Sequence, residues 1–458
     1  MNVDRTIRAK DLKSAVVDFF TLAGPKIKRL QACWDPEQGS PVFTRQGKYT
    51  SRGWTEWTQG FQFGIQILQF DATGDESMLR AGRDHTLRFM APHVSHIGVH
   101  DHGFNNISTY GNLRRLALEG KTEEDANALR FYELALKVSG AVQAARWSTL
   151  HDGTGFIHSF NGPHSLFSDA IRSCRVLMLA HKLGHCLMGE NDRKISLFER
   201  AVQHMVNTAR YNVYFGQGRD AYDVRGRVAH ESIFNMTDGR YRCPSTQQGY
   251  SPFSTWTRGL AWIILGYAEE LECVTTIPAV AFAPFGGRKK VTGVMVDAAK
   301  AAADFYLAHT PTDGIPYWDT GAPGLVHLPH HLKEPARIDN DYEPVDSSAA
   351  AISAQGLLRL GSVLGSSRYT KAGLAIAKTL FRPPYLSEDP KHHGLILHSV
   401  YHRPNGWDYV PRGKKVPQGE SSMWGDYHAM ELAVYLKRLM DGEPYLTFFD
   451  NAGSHPRL

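Results

Sequence analysis

The sequence predicts an all-α protein built as a double-layered ring of six helical hairpins, and three observations carry that prediction. Twelve segments repeat apolar residues at three-and-four spacing, the signature of helices with one buried face. Short links alternate with long ones rich in Gly, Pro, His and aromatic residues. Small residues fall inside helical runs, as at Ala349 to Ala351, Ala354 and Gly356, where neighbouring backbones would have to approach closely.

In chain order the helical segments are 10–32, 58–71, 76–90, 109–119, 122–147, 168–183, 191–212, 255–273, 290–309, 346–364, 368–381 and 423–440. Thr122 with Asp125 resembles a capping box, and Asp346 precedes "SSAAAISAQGLLRLG" as a cap would. On "TWTRGLAWIILGYAEELE", Leu260, Ile263, Ile264, Tyr267 and Leu271 form one apolar stripe, with Glu269, Glu270 and Glu272 crowding one end. The connections 91–108, 148–167, 213–254, 310–345 and 382–422 are long for a compact protein, and loops of that kind usually carry function. Within them, "FIHSF" and "GLILHSVY" suit short strands. A solenoid would match the helix count, but no self-similarity at about 34 or 40 residues supports one. No shift of composition marks a boundary, so residues 1–458 read as one domain.

Composition narrows the function. Of 458 residues, 42% are hydrophobic, enough for a large core, and the formal net charge is +5. Lys and Arg are scattered; the one dense run, "GGRKKV" at 286–291, is too short to bind nucleic acid. Nine Trp and 11% aromatic residues suit a protein that stacks on sugar rings. Five cysteines without paired spacing suggest neither a disulfide framework nor a zinc site. The first residues lack an apolar secretion segment and no run approaches a membrane span, so the expectation is a cytoplasmic protein without a membrane partner.

The polar and aromatic signals fall in the long loops or where these meet helices. They are "RGWTEWTQGF" (52–61), "GVHDHGFNN" (98–106), "TGFIHSFNG" (154–162), "QQGYSPFSTWTRGLAW" (247–262), "IPYWDTGAPG" (315–324) with "DSSAAAI" (346–352), and "MWGDYHAMEL" (423–432). One aromatic and one polar group from each alternate loop would build a sugar pocket. Asp169, at the start of helix 168–183, is either a helix cap together with Ser168 or a catalytic acid/base.

These segments, from about residue 50 to the last helix, resemble the unsaturated glucuronyl hydrolases of glycoside hydrolase family 88. The most specific are "HDHGF" (100–104), "QGYSPFSTWTRGLAW" (248–262), "IPYWD" (315–319) followed by "DSSAAA" (346–351), and "WGDYHAMEL" (424–432), all in the family's order. The resemblance implies an (α/α)6 barrel acting on oligosaccharides whose terminal uronic acid carries a C4=C5 double bond. It implies that an aspartic acid protonates C4, water adds at C5, and the hemiketal opens to expel the remaining sugar. By the same resemblance Asp169 is the proton donor and base and Asp101 its supporting aspartate, while Trp57, Arg258 and Trp262 contact the substrate; His100, beside Asp101, orients that aspartate, touches the sugar or is an ordinary loop histidine. For Asp169 to be an acid, burial and Asp101 must raise its pKa against the pull of a helix N-terminus.

Two positions depart from the family pattern: Gln247 stands where a histidine is common, and Phe160 where a Trp or other aromatic is common. Both are expected in the pocket. In the loop before "WGDY", Arg412, Lys414 and Lys415 lie between Pro411 and Pro417, a cluster suited to a sulfate or carboxylate on the second sugar. The expected partner is therefore an oligosaccharide with an unsaturated uronic acid, the expected cofactor none, and the expected state a monomer or homodimer. Three other readings remain: an unsaturated rhamnogalacturonyl-type hydrolase, an ordinary glycosidase on the same barrel, and an inactive carbohydrate-binding protein. The paired aspartates, Asp101 and Asp169, weigh against the last.

Overall fold

In a computed structural model, residues 1–53, 56–123, 125–449 and 458 are described, so Trp54 and Thr55 of the "RGWTEW" segment lie outside the description. Twelve long helices dominate: α1 (Lys13–Cys33), α2 (Gln59–Thr73), α3 (Glu76–Phe89), α4 (102–118), α5 (Ala126–Ala145), α6 (169–182), α7 (Leu197–Asn212), α8 (Thr257–Val274), α9 (Arg288–Ala308), α10 (Ser347–Leu364), α11 (Ser367–Leu380) and α12 (Met423–Asp441). The even-numbered helices form an inner ring. α2 packs on α4, then follow α6, α8, α10 and α12, and α12 returns to α2. The odd-numbered helices lie outside; α3, α5, α7, α9 and α11 each pair with the helix before them, and α1 completes the sixth pair with α12. This is an (α/α)6 barrel.

Sequence decides which helix goes inside. Every residue of α8 is buried, as are residues 59–71 of α2, whereas α3 and α11 bury one face only. Close approach within the inner ring needs glycine: a Cβ on Gly356 of α10 would stand 2.8 Å from the Leu265 nitrogen of α8. Asp346 caps α10 as expected, accepting from the backbone N–H groups of Ser348 and Ala349.

Four expectations need correction. The fourth helix starts at His102, not 109, and passes through a π-helical turn, Ile107–Gly111, because its polar residues His102, Asn105, Asn106 and Thr109 are buried and hide the apolar period. The seventh starts at Leu197, capped by Ser196, instead of at 191. Asp125, not Thr122, caps α5, its carboxylate accepting from Asn127 and Ala128. "GLILHSVY" forms no strand and contributes only an isolated bridge between Ile396 and Leu386.

Short strands decorate the loops: β1 (Pro41–Arg45) with β2 (Lys48–Ser51), β3 (Trp147–Thr149) with β4 (Gly155–Ile157), and the two-residue pair β6 (Leu187–Met188) with β7 (Lys194–Ile195). The important group is β5 (Ser165–Phe167), β8 (Glu231–Phe234) and β9 (Tyr241–Ser245), with Phe167 opposite Glu231. That register sets His230, one residue before β8, beside Asp169, two residues after β5.

If the inner ring depends on this close approach, Gly356→Ala should destabilise the protein by about 1–3 kcal/mol, the usual cost of overpacking a core. Thermal denaturation should show a lower midpoint with an unchanged helical circular-dichroism spectrum.

Candidate active site

The N-terminal ends of α2, α4, α6 and α8 converge with the loops onto a cavity of about 530 Å³. Of the residues singled out from sequence, Trp57, His100, Asp101, Phe160, Asp169, Gln247, Arg258 and Trp262 all line it.

Asp169 does not cap its helix. It opens a 3-10 turn, Asp169–Ser173, that leads into α6, and neither it nor Ser168 makes a side-chain capping bond there. Its carboxylate instead lies 3.0 Å from His100 Nε2 through Oδ2 and 3.7 Å from His230 Nε2 through Oδ1. Asp101 Oδ1 stands 3.9 Å from the same His100 nitrogen. All three residues of this trio are buried, with one donor atom from each within 4.8 Å of the others, close enough to share one proton or to reach one cation.

The pKa shifts divide the two aspartates. Burial and the charge of Asp169 push Asp101 up, the first more strongly, against the opposing charge of His100. Burial also acts to raise Asp169, but the hydrogen bonds and charges of His100 and His230 outweigh it and hold its carboxyl below the usual range. The expectation that the Asp169 pKa is raised is therefore corrected; the cause is a pair of histidines, of which His230 carries no motif in the sequence. Burial opposes charging of His100, yet Asp101 and Asp169 together raise it above the ordinary imidazole value.

His230 is the main residue missed from sequence. Its Nδ1 accepts the backbone N–H of Gln247 at 3.0 Å, which leaves the ring hydrogen on Nε2, facing Asp169. Only the pairing of β5 with β8 brings it there, and "VAHESIF" carries no spacing signal for that. Glu56, also missed, lines the cavity; burial, with the charge of Asp101 adding, raises its carboxyl. Gln247 contributes to this geometry through its main chain, so glutamine in place of histidine leaves the lock on His230 intact.

Aromatic residues build the walls. Trp57 stacks on Trp424 of α12 (5.1 Å, 24°) and meets Phe104 edge-on, presenting its remaining surface to the cavity. Trp262 packs against Phe104 and His428 as floor. Phe160 lies parallel over His100 at 5.9 Å, on a loop braced by Asn161, whose Nδ2 donates to Glu231.

Arg258 lines the cavity but is fully engaged by protein. Nη1 donates to Asp346 (3.0 Å) and to the Val400 carbonyl, and Nη2 to Gln248 Oε1 (2.9 Å) and the Tyr401 carbonyl (2.8 Å). It acts as a buried anchor for α10, Gln248 and the 400–401 loop.

Lys414 and Lys415 are not in the cavity lining, which corrects that expectation. Lys414 Nζ pairs with Asp339 at 2.6 Å and Lys415 Nζ with Asp341 at 3.0 Å, acids of the neighbouring 310–345 connection that sequence spacing does not bring into view.

A helical barrel with paired carboxyls in an aromatic-lined cleft suits a carbohydrate-active hydrolase. No protein-family profile matches the chain. Curated relatives do: the unsaturated glucuronyl hydrolase of Bacillus sp. strain GL1 is 27% identical over 416 residues, covering 87% of this chain and 90% of its own. That of Formosa agariphila is 24% identical over 82% of this chain and 78% of its own. The unsaturated chondroitin disaccharide hydrolase of Streptococcus pyogenes is 23% identical over 88% and 86%. Among solved structures, the Bacillus sp. GL1 unsaturated glucuronyl hydrolase superposes with TM-score 0.68 at 23% identity, covering 94% of this chain and 97% of its own. One described as specific for heparin gives TM-score 0.69 at 20% identity, covering 94% and 98%. Over most of its length the chain is therefore similar to unsaturated glucuronyl hydrolases, and it is a hydrolase.

Two substitutions separate anchor from surface. Arg258→Met strands the Asp346 carboxylate in the core and should destabilise the fold by about 3–5 kcal/mol, as breaking a buried pair does. The double change Lys414→Ala and Lys415→Ala should leave both the thermal midpoint and KM on a sulfated substrate essentially unchanged. A several-fold rise in that KM would return the two lysines to the binding site.

Proposed function

We propose that this protein removes a 4,5-unsaturated uronic acid from the non-reducing end of oligosaccharides left by polysaccharide lyases, by hydrating the C4=C5 vinyl ether. The observation that carries this reading is Asp169 facing the cavity from between His100 and His230, with Asp101 alongside, instead of capping its helix. The names of the curated relatives support the substrate class.

In this reading the trio holds the proton that C4 receives. The raised His100 and lowered Asp169 place that proton toward the imidazole before substrate binds. An anionic uronate arriving beside two carboxyls raises their proton affinity, and the 3.0 Å bond is the path by which Asp169 Oδ2 takes the proton. Asp169 delivers it to C4, and the positive charge develops at C5 beside the ring oxygen. Water adds to C5 and gives up a proton to the now ionised Asp169. The C5 hemiketal opens to a ketone, and C1 releases the second sugar. His230, held by the Gln247 main chain, keeps the Asp169 carboxylate oriented.

Loss of the ultraviolet absorbance of the conjugated double bond, followed on lyase-generated disaccharides, is the direct test. Cleavage should accompany that loss, and saturated counterparts should stay intact; equal rates on the two would establish an ordinary glycosidase instead. Asp169→Asn should fold normally and lose about 10² to 10⁴ in kcat. A folded variant keeping more than about a tenth of the activity would contradict the acid–base role.

The pH profile follows from His100. Its pKa is raised by Asp101 and Asp169, so the trio holds its proton to higher pH than an ordinary imidazole would and loses it as pH rises through the elevated value. The basic limb of kcat should therefore lie above the ordinary histidine value of about 6.5, and His100→Asn should displace it.

A further inference from the structure

An anionic substrate, as in the function proposed above, meets three carboxyl groups in this cavity, Glu56, Asp101 and Asp169. Something must supply an opposing charge, and most of the cavity's basic groups are already committed. Arg258 donates to Asp346, Gln248 and two main-chain carbonyls. His100 serves the two aspartates. His402 is held uncharged at neutral pH, burial depressing its pKa to about 4.

Arg52 is the exception. It lines the cavity, and among the described residues it makes no ion pair within 4.0 Å, its charge reaching the neighbouring Glu56 carboxyl at longer range. Its guanidinium lies over the Trp407 ring, 3.7 Å from the centroid, with Tyr401 at 5.4 Å. Stacking occupies the face of a guanidinium and leaves the N–H edge free, which is the edge that grips a carboxylate or sulfate with two parallel bonds. Trp407 itself is 39% exposed, so the stacked pair borders solvent where a sugar would enter.

We propose that Arg52, seated on Trp407, is the anion-reading residue of this site and binds an acidic group of the sugar substrate through its guanidinium edge. The group is either the carboxylate of the unsaturated uronate or an acidic substituent on the second sugar, since both offer the same planar or trigonal oxygens.

The inference rests on the proposed function, and the experiment keeps the two apart. Wild type, Arg52→Gln and Arg52→Lys are assayed on an unsaturated disaccharide with a neutral second sugar and on one with a sulfated second sugar. Arg52→Gln should raise KM about ten- to hundredfold, the loss of one charge-assisted pair, with kcat nearly constant because the contact is the same in ground and transition states. Arg52→Lys should recover only part, having the charge without the fork. A rise on both substrates assigns Arg52 to the uronate carboxylate; a rise on the sulfated substrate alone assigns it to the second sugar. Added salt should raise KM of the wild type and leave Arg52→Gln nearly insensitive, a response that a merely structural arginine would not produce. KM within twofold of wild type on both substrates would overturn the inference, while a wild type inactive on both would overturn the proposed function itself.

Discussion

The buried ion pairs on the barrel axis are the constraint on which the rest depends. Arg172 of α6 binds Glu269 of α8 at 2.6 Å and Glu431 of α12 at 3.4 Å, while Arg175 reaches the same Glu269 at 3.1 Å and the Gly103 carbonyl of α4 at 2.6 Å. Arg359 of α10 closes on Glu272 of α8 at 2.9 Å. Charges so deeply buried cost several kcal/mol each to desolvate unless paired, so a slip of any inner helix by one turn would leave a charge alone. Arg172 lies three residues beyond Asp169 on the same helix. The network that sets the register of α6 therefore also sets where the Asp169 carboxyl emerges into the cavity.

Opening the site at helix N-termini creates an electrostatic problem that the histidines answer. The start of a helix favours an anion, which suits a base but not an acid. Two ring nitrogens near Asp169 strengthen that bias, while burial and the charge of Asp169 push Asp101 the other way. His100, raised by both aspartates, offers a further resting place for a proton held among the three groups.

Much of this was legible in the sequence because helix periodicity survives in chains whose helices have distinct buried faces, such as α3, α9 and α11. It faltered where polar residues are buried. His102, Asn105 and Asn106 made the first turns of α4 read as loop, and the glutamates of α8 read as a charged end when they are the buried hub of the barrel. The site residues carried by local motifs, Asp101, Asp169, Trp57 and Arg258, all reach one cavity. His230 does not announce itself, since only strand pairing between segments far apart in sequence places it. Lys414 and Lys415 mislead for the converse reason: their neighbours Asp339 and Asp341, distant in the chain, neutralise them.

The division of labour that results explains where the site can vary. His230 is aimed by a main-chain N–H, so residue 247 can change its side chain without moving the ring. Arg258 is bound by a carboxylate that also caps α10, so its position belongs to the scaffold as much as to the pocket. The reacting centre is thus held by main chain and buried charge, both insensitive to surface substitution. Arg52, Phe160 and Trp407, by contrast, are exposed groups on loops, tied down mainly by stacking. Selection among sugars can act on such groups without disturbing the trio, because no buried ion pair has to be broken to replace them.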